Sequence, residues 1–220
     1  MNYFVVIISL TLSFLSFGQT SYEFAQTLPP GAESIANMDA SLFGDYKNEE
    51  TATIYRIDAE GISIISIIYS FISREQVRES SKYQVRDGFL FGVVAGDSVP
   101  CFLEEDKYYF GIRQKNVVIG AGSATVLTRA GANAYMLNYK ETHGYSPSML
   151  TVSGGTLEIR HLEYAPGTKV FYKIKTKNKL KTASPQTIVL QPDEKEWRSI
   201  DKALIFGQPI RYVKLKPDAE

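Results

Sequence analysis

From Ile62 to Ser73 the chain reads Ile-Ser-Ile-Ile-Ser-Ile-Ile-Tyr-Ser-Phe-Ile-Ser, without a charge, a proline or a glycine. Branching at Cβ restricts isoleucine in a helix and suits an extended backbone. Side chains alternate between faces along a strand. The odd positions are then Ser63, Ile65, Ile67, Tyr69 and Phe71, and the even ones Ile62, Ile64, Ser66, Ile68, Ser70 and Ile72. Both faces are apolar, so the run predicts a long strand in the middle of a sheet or in a curved barrel wall.

Its surroundings continue the pattern. Thr51–Asp58 is strand-like and is followed by the turn Ala59-Glu60-Gly61. Ser73 and Gln76 have the spacing of a capping box, which predicts a helical turn after the long strand. Tyr83–Arg86 and Phe89–Val94 flank Asp87-Gly88, a pair suited to a two-residue hairpin because glycine tolerates positive φ. Val99–Leu103 and Lys107–Arg113 flank Glu104-Glu105-Asp106, which predicts another hairpin. Shorter strands are expected at Val117–Ile119, Thr125–Thr128 and Ala134–Tyr139. Met149–Val152 and Thr156–Leu162 bracket Ser153-Gly154-Gly155, and Pro166-Gly167 marks a turn leading into a strand at Val170–Thr176. Thr187–Leu190 and Arg211–Leu215 complete the strands. Two helices are expected. One is a short piece at Ala32–Met38. The other is Pro192–Ala203, where Pro192 fits the first turn and Asp193, Glu194 and Glu196 suit the positive end of a helix dipole.

These segments predict a mainly β chain: an antiparallel β-barrel or β-sandwich with one short C-terminal helix. A short helix, then Gly44-Asp45-Tyr46, then a meander resembles the opening of lipocalin-like barrels, with Tyr46 at the place where those carry tryptophan. The resemblance is one of fold alone and implies no ligand.

Tyr3–Phe17 is almost wholly apolar and too short for a membrane-spanning helix of about 20 residues. With the small residues Ser16 and Gly18 behind it, the run reads as a secretory signal cleaved after Gly18. No lysine or arginine precedes it, so the terminal amine alone supplies positive charge. The expected organisation is a signal peptide at residues 1–18, a leader and short helix at 19–41, and a β-rich region at 42–220. Two packed subdomains would divide near 143–147. The expected destination is the periplasm or the extracellular space, with no transmembrane span in the mature chain.

Charge and chemistry narrow the function. The 24 basic and 24 acidic residues cancel, which argues against a nucleic-acid partner. Cys101 is the only cysteine, so neither an internal disulfide nor a cysteine-rich zinc site is available. Its apolar neighbours Val99, Pro100, Phe102 and Leu103 predict burial. Val117–Thr125 contains Gly120-Ala121-Gly122, but Thr125 stands where a dinucleotide-binding turn has its third glycine, so a β-turn is expected and no cofactor. His143 reads as a loop residue and His161 as a strand residue sharing a face with Leu157 and Ile159. No Gly-x-Ser-x-Gly elbow is present. Glu104-Glu105-Asp106 reads as a solvated hairpin tip and no metal site is expected.

One charge pattern points to a surface. Lys169, Lys173, Lys175, Lys177, Lys179 and Lys181 all fall at odd positions. On an extended backbone Lys173, Lys175, Lys177, Lys179 and Lys181 share one face, opposite Val170, Tyr172 and Ile174. That row is either a contact strip for an anionic glycan or envelope component, or the charged guard of a sheet edge. The sequence thus describes an exported, non-catalytic binding or scaffolding protein of unknown ligand. The competing reading is an exported hydrolase with scattered catalytic residues.

Overall fold

The computed structural model describes residues 21–163, 169–174, 177–180 and 187–216. The expected signal segment, the turn at Pro166-Gly167, Lys175 and Lys181 lie outside them. The described residues are mainly β, with fifteen strands against two α-helices of six residues each. None of their helices is long and apolar enough to cross a membrane.

In chain order the strands are β1 (Ser21–Phe24), β2 (Gly44–Lys47), β3 (Ile54–Asp58), β4 (Gly61–Ser73), β5 (Gln84–Arg86), β6 (Phe89–Phe91), β7 (Ser98–Glu104), β8 (Lys107–Ile119), β9 (Val126–Arg129), β10 (Ala134–Lys140), β11 (Tyr145–Ser153), β12 (Thr156–His161), β13 (Lys177–Leu180), β14 (Thr187–Leu190) and β15 (Ile210–Lys214). The helices are α1 (Arg74–Glu79) and α2 (Glu194–Ser199). Two compact units result. One holds the chain up to Ala36 and Gly122–Ile210; the other holds Asn37–Ala121 and the chain from Arg211. The boundary expected near 143–147 falls inside the first unit, just before and within the start of β11.

The first unit is a mixed sheet. β10 lies antiparallel between β9 and β11, and β11 pairs with β12 along Ser148–Ser153. β1 runs parallel to β14, which pairs antiparallel with β13. Its core gathers Phe24, Leu28, Met136, Phe171, Leu190 and Trp197. Phe24 meets Trp197 edge to face at 6.2 Å, the geometry that ring quadrupoles prefer. Asp193 and Glu196 form a capping box that starts α2. Lys202 ends it by donating from Nζ to the carbonyls of Trp197 and Ile200, so the helix is shorter than the expected 192–203. Asn138 is fully buried: its Oδ1 accepts from Leu28 N–H at 2.7 Å, and its Nδ2 donates to Leu28 O and Thr128 Oγ1.

Two expectations fail here. Ala32–Met38 is not a helix: Ile35 N–H donates to Leu127 O and Ser34 bridges Thr128, so the segment docks on β9 in extended form. Val170–Thr176 is not a strand over its described part: Lys169–Lys173 is a 3-10 turn, which lets Val170, Phe171 and Ile174 all enter the core.

The second unit is an antiparallel row in the order β15, β2, β3, β4, β8, β7, β6, β5. The long uncharged run forms β4 as expected, extended by Gly61 to 13 residues, and pairs with the equally long β8. Val117–Ile119, expected as a separate strand, is instead the end of β8. Ser73 and Gln76 make the anticipated capping box of α1. Asp87-Gly88 and Glu105-Asp106 adopt positive φ at the two expected hairpin tips. Gly61, at φ +133, faces Ile119 O so closely that an added Cβ would lie 2.0 Å from it, so only glycine fits the turn before β4. A closed barrel must pair its end strands. Here β5 pairs only with β6, so the described strands form an open sheet, not the barrel that the meander suggested.

Candidate functional site: an aromatic sheet face

The β4–β8 pairing puts Phe71 opposite Tyr109 and Tyr69 opposite Gly111. β7 adds Phe102 opposite Tyr109, and β6 adds Phe89 opposite Pro100. Strand alternation then sends Ile67, Tyr69, Phe71, Phe89, Phe91 and Phe102 to one face. The other face carries Ile72, Leu90, Val99 and Phe110, which form a filled core against which Val77 of α1 and Tyr83 pack. The aromatic face has no such cover among the described residues. Tyr69 is 78% exposed, Phe102 62% and Phe71 55%.

The rings are arranged against one another. Phe102 stacks on Tyr109 at 5.5 Å with 20° between the planes, and Phe71 meets Tyr109 at 5.8 Å. Gly111 sits in the middle: an added Cβ would lie 2.6 Å from Ile67 Cγ2 and 3.5 Å from Tyr69 Cε1. Glycine thus lets both side chains lean over β8. Tyr69, Pro100, Phe102 and Tyr109 rim a shallow apolar depression above Gly111. Cations stand at its margin, with Lys107 Nζ 4.7 Å from the Phe71 ring centre and the Arg86 guanidinium 6.0 Å from that of Phe91. The arrangement offers flat apolar surface with positive charge at its edge and no nucleophile or acid–base pair.

The residues singled out in the sequence lie elsewhere. Lys173 is exposed in the 3-10 turn, while Lys177 and Lys179 lie on β13, which pairs only with β14 among the described residues. Of the predicted row, Lys173 thus sits in a turn and not on extended backbone, while Lys175 and Lys181 lie outside the described residues. Cys101 was expected to be buried and is only partly so: it packs against the core of Val99 and Phe110, and desolvation raises its thiol pKa, which disfavours the thiolate. Gly120-Ala121-Gly122 leads through a turn into β9, so no helix follows to cradle a phosphate. His143 is exposed, its backbone N–H donating to Glu23 Oε2. Glu104, Glu105 and Asp106 are exposed at their hairpin tip. No group of three or more histidine, cysteine, aspartate or glutamate side chains that could hold a metal occurs among the described residues.

Ser148 on β11 lies opposite His161 on β12, and its Oγ is 2.8 Å from His161 Nδ1. A serine needs access to substrate before a neighbouring base is of use. Ser148 is only 3% exposed, and the contact is a cross-strand hydrogen bond in the sheet. His161 is itself exposed, and partial desolvation lowers its imidazole pKa, which favours the neutral ring.

The aromatic face was missed as a site in the sequence. Its signal was present in the alternation of Ile67, Tyr69 and Phe71 and of Phe89 and Phe91, but alternation does not tell which face another element covers. No family model, curated protein or solved structure matches the chain.

Proposed function

We propose that the chain is an exported, non-catalytic binding or scaffolding protein, and that the aromatic face of the second unit is its contact surface. The observation that carries this reading is the exposure of Tyr69, Phe71 and Phe102 on one side of a sheet whose other side has a filled core. At about 150–250 Å² per ring, the exposed part of the face amounts to roughly 600 Å². That is the upper end of what a monomer leaves bare, and patches of this size mark contact sites. Export rests on the apolar run Tyr3–Phe17 and the small residues at Ser16 and Gly18. The exposed Lys173, close in sequence to Lys177 and Lys179, supports a second reading: contact with an anionic glycan or envelope component.

The test combines binding and turnover. The exported protein is screened on arrays of neutral and anionic polysaccharides and envelope lipids, alongside ester, peptide and glycoside substrate panels. Binding that is lost in Phe102→Ser, with unchanged circular dichroism, supports the aromatic face. Binding lost instead in the joint Lys173→Gln, Lys177→Gln, Lys179→Gln variant moves the contact to the lysines. Turnover abolished by Ser148→Ala or His161→Ala overturns the non-catalytic reading.

A further inference from the structure

We infer that the chain forms a two-fold dimer by pairing the open edge of β4 with the same edge of a second copy. One side of β4 is bonded to β8 along Ile62–Ser73, but the other is bonded to β3 only along Gly61–Ile65. Among the described residues no strand pairs with that second edge from Ser66 onward, and Ile67–Phe71 are all exposed. A bare edge presents unpaired N–H and C=O groups, and sheets blunt such edges with charges or very short strands. Elsewhere the protein follows that pattern. The outer edge of β8 beyond Gly111 carries Arg113 and Lys115, and β5 has three residues. The β4 edge has no such device over its bare length.

The segment is compatible with itself. Ile62–Ser73 has no charge, so two copies laid side by side meet no like-charge repulsion. Antiparallel pairing about an axis normal to the sheet at Tyr69 places Ile67 opposite Phe71 of the second copy and Ile68 opposite Ser70. Such an axis keeps both aromatic faces on the same side, and aromatic with β-branched cross-strand pairs favour the register. The pairing covers about 500 Å² per copy, at the low end of specific association, so the dimer is expected to be micromolar. It shares residues with the binding face but does not depend on the binding reading. Phe102 lies on β7, away from the β4 edge, so Phe102→Ser leaves the dimer intact even where it removes ligand.

Sedimentation equilibrium of the exported protein from about 1 to 100 µM brackets that affinity. The wild type is expected to dimerise. Tyr69→Lys and Tyr69→Glu each place like charges opposite one another at the axis and raise the dissociation constant about a hundredfold. Mixing the two variants restores a pair, because opposite charges now meet. Tyr69 is 78% exposed, so unchanged circular dichroism is expected for both variants. A wild type that stays monomeric, variants that dimerise like the wild type, or a mixture that remains monomeric overturns the proposal.

Discussion

Replacing Asn138 by alanine should cost the first unit about 3–5 kcal/mol, a large share of the stability of an ordinary domain. Asn138 joins two parts of the chain far apart in sequence, because its amide closes hydrogen bonds with both the N–H and the C=O of Leu28. Alanine leaves the Leu28 N–H inside the core without its acceptor, which costs about 1–3 kcal/mol. The carbonyl of Leu28 keeps the Thr128 hydroxyl as a donor, so its loss is about 1 kcal/mol. The vacated volume adds about another 1 kcal/mol. Urea unfolding followed by tryptophan fluorescence measures this directly, because the only tryptophan, Trp197, is buried in the same unit. Asn133→Ala serves as the control. Asn133 is exposed in the turn between β9 and β10 of the same unit, and its hydrogen bond with Val152 uses the backbone carbonyl that alanine keeps, so its change stays within about 0.5 kcal/mol. A loss below about 1 kcal/mol for Asn138→Ala would refute the argument that this buried amide fixes Leu28 to the sheet.

Two further outcomes are expected. His161 is exposed as a residue, yet partial desolvation holds its imidazole pKa below its ordinary 6.5, so in the window beneath 6.5 the unfolded chain binds protons more readily than the folded one. The stability this contributes is present above 6.5 and is lost as pH falls through the folded pKa. Urea melts at about pH 7 and about pH 5 should show a smaller acid loss in His161→Gln than in wild type, and equal losses would contradict the assignment. N-terminal sequencing of protein exported by its native host should begin at Gln19, and an intact Met1 on the exported protein would remove the signal reading.

Much of the second unit was legible because its signals are local. An uncharged isoleucine run, a capping box at Ser73 and Gln76, and the tips Asp87-Gly88 and Glu105-Asp106 each act within a few residues, and each forms as expected. Long-range pairing decided the rest. The meander closed no barrel because nothing local to β5 specifies a partner beyond β6. The hydrogen bond of Ser148 with His161 follows from the β11–β12 register, invisible until both strands are aligned. Ile35 was drawn into extended form by β9, against its expected helix. Lys169–Lys173 tightened into a 3-10 turn because Val170, Phe171 and Ile174 all reach the core that way, which strict alternation would forbid. The candidate site was half legible: the aromatic alternation was visible, but its exposure depends on α1 packing against the opposite face.

Hydroxyl-radical footprinting of Phe89 and Phe102, in the native compartment and in dilute purified protein, tests the contact surface most directly. Both rings lie off the β4 edge, on β6 and β7, so dimer formation alone does not shield them. Ready oxidation is expected in the purified protein, where Phe102 is 62% and Phe89 42% exposed, and strong protection in the native compartment. Equal oxidation in both settings would contradict the proposed contact surface.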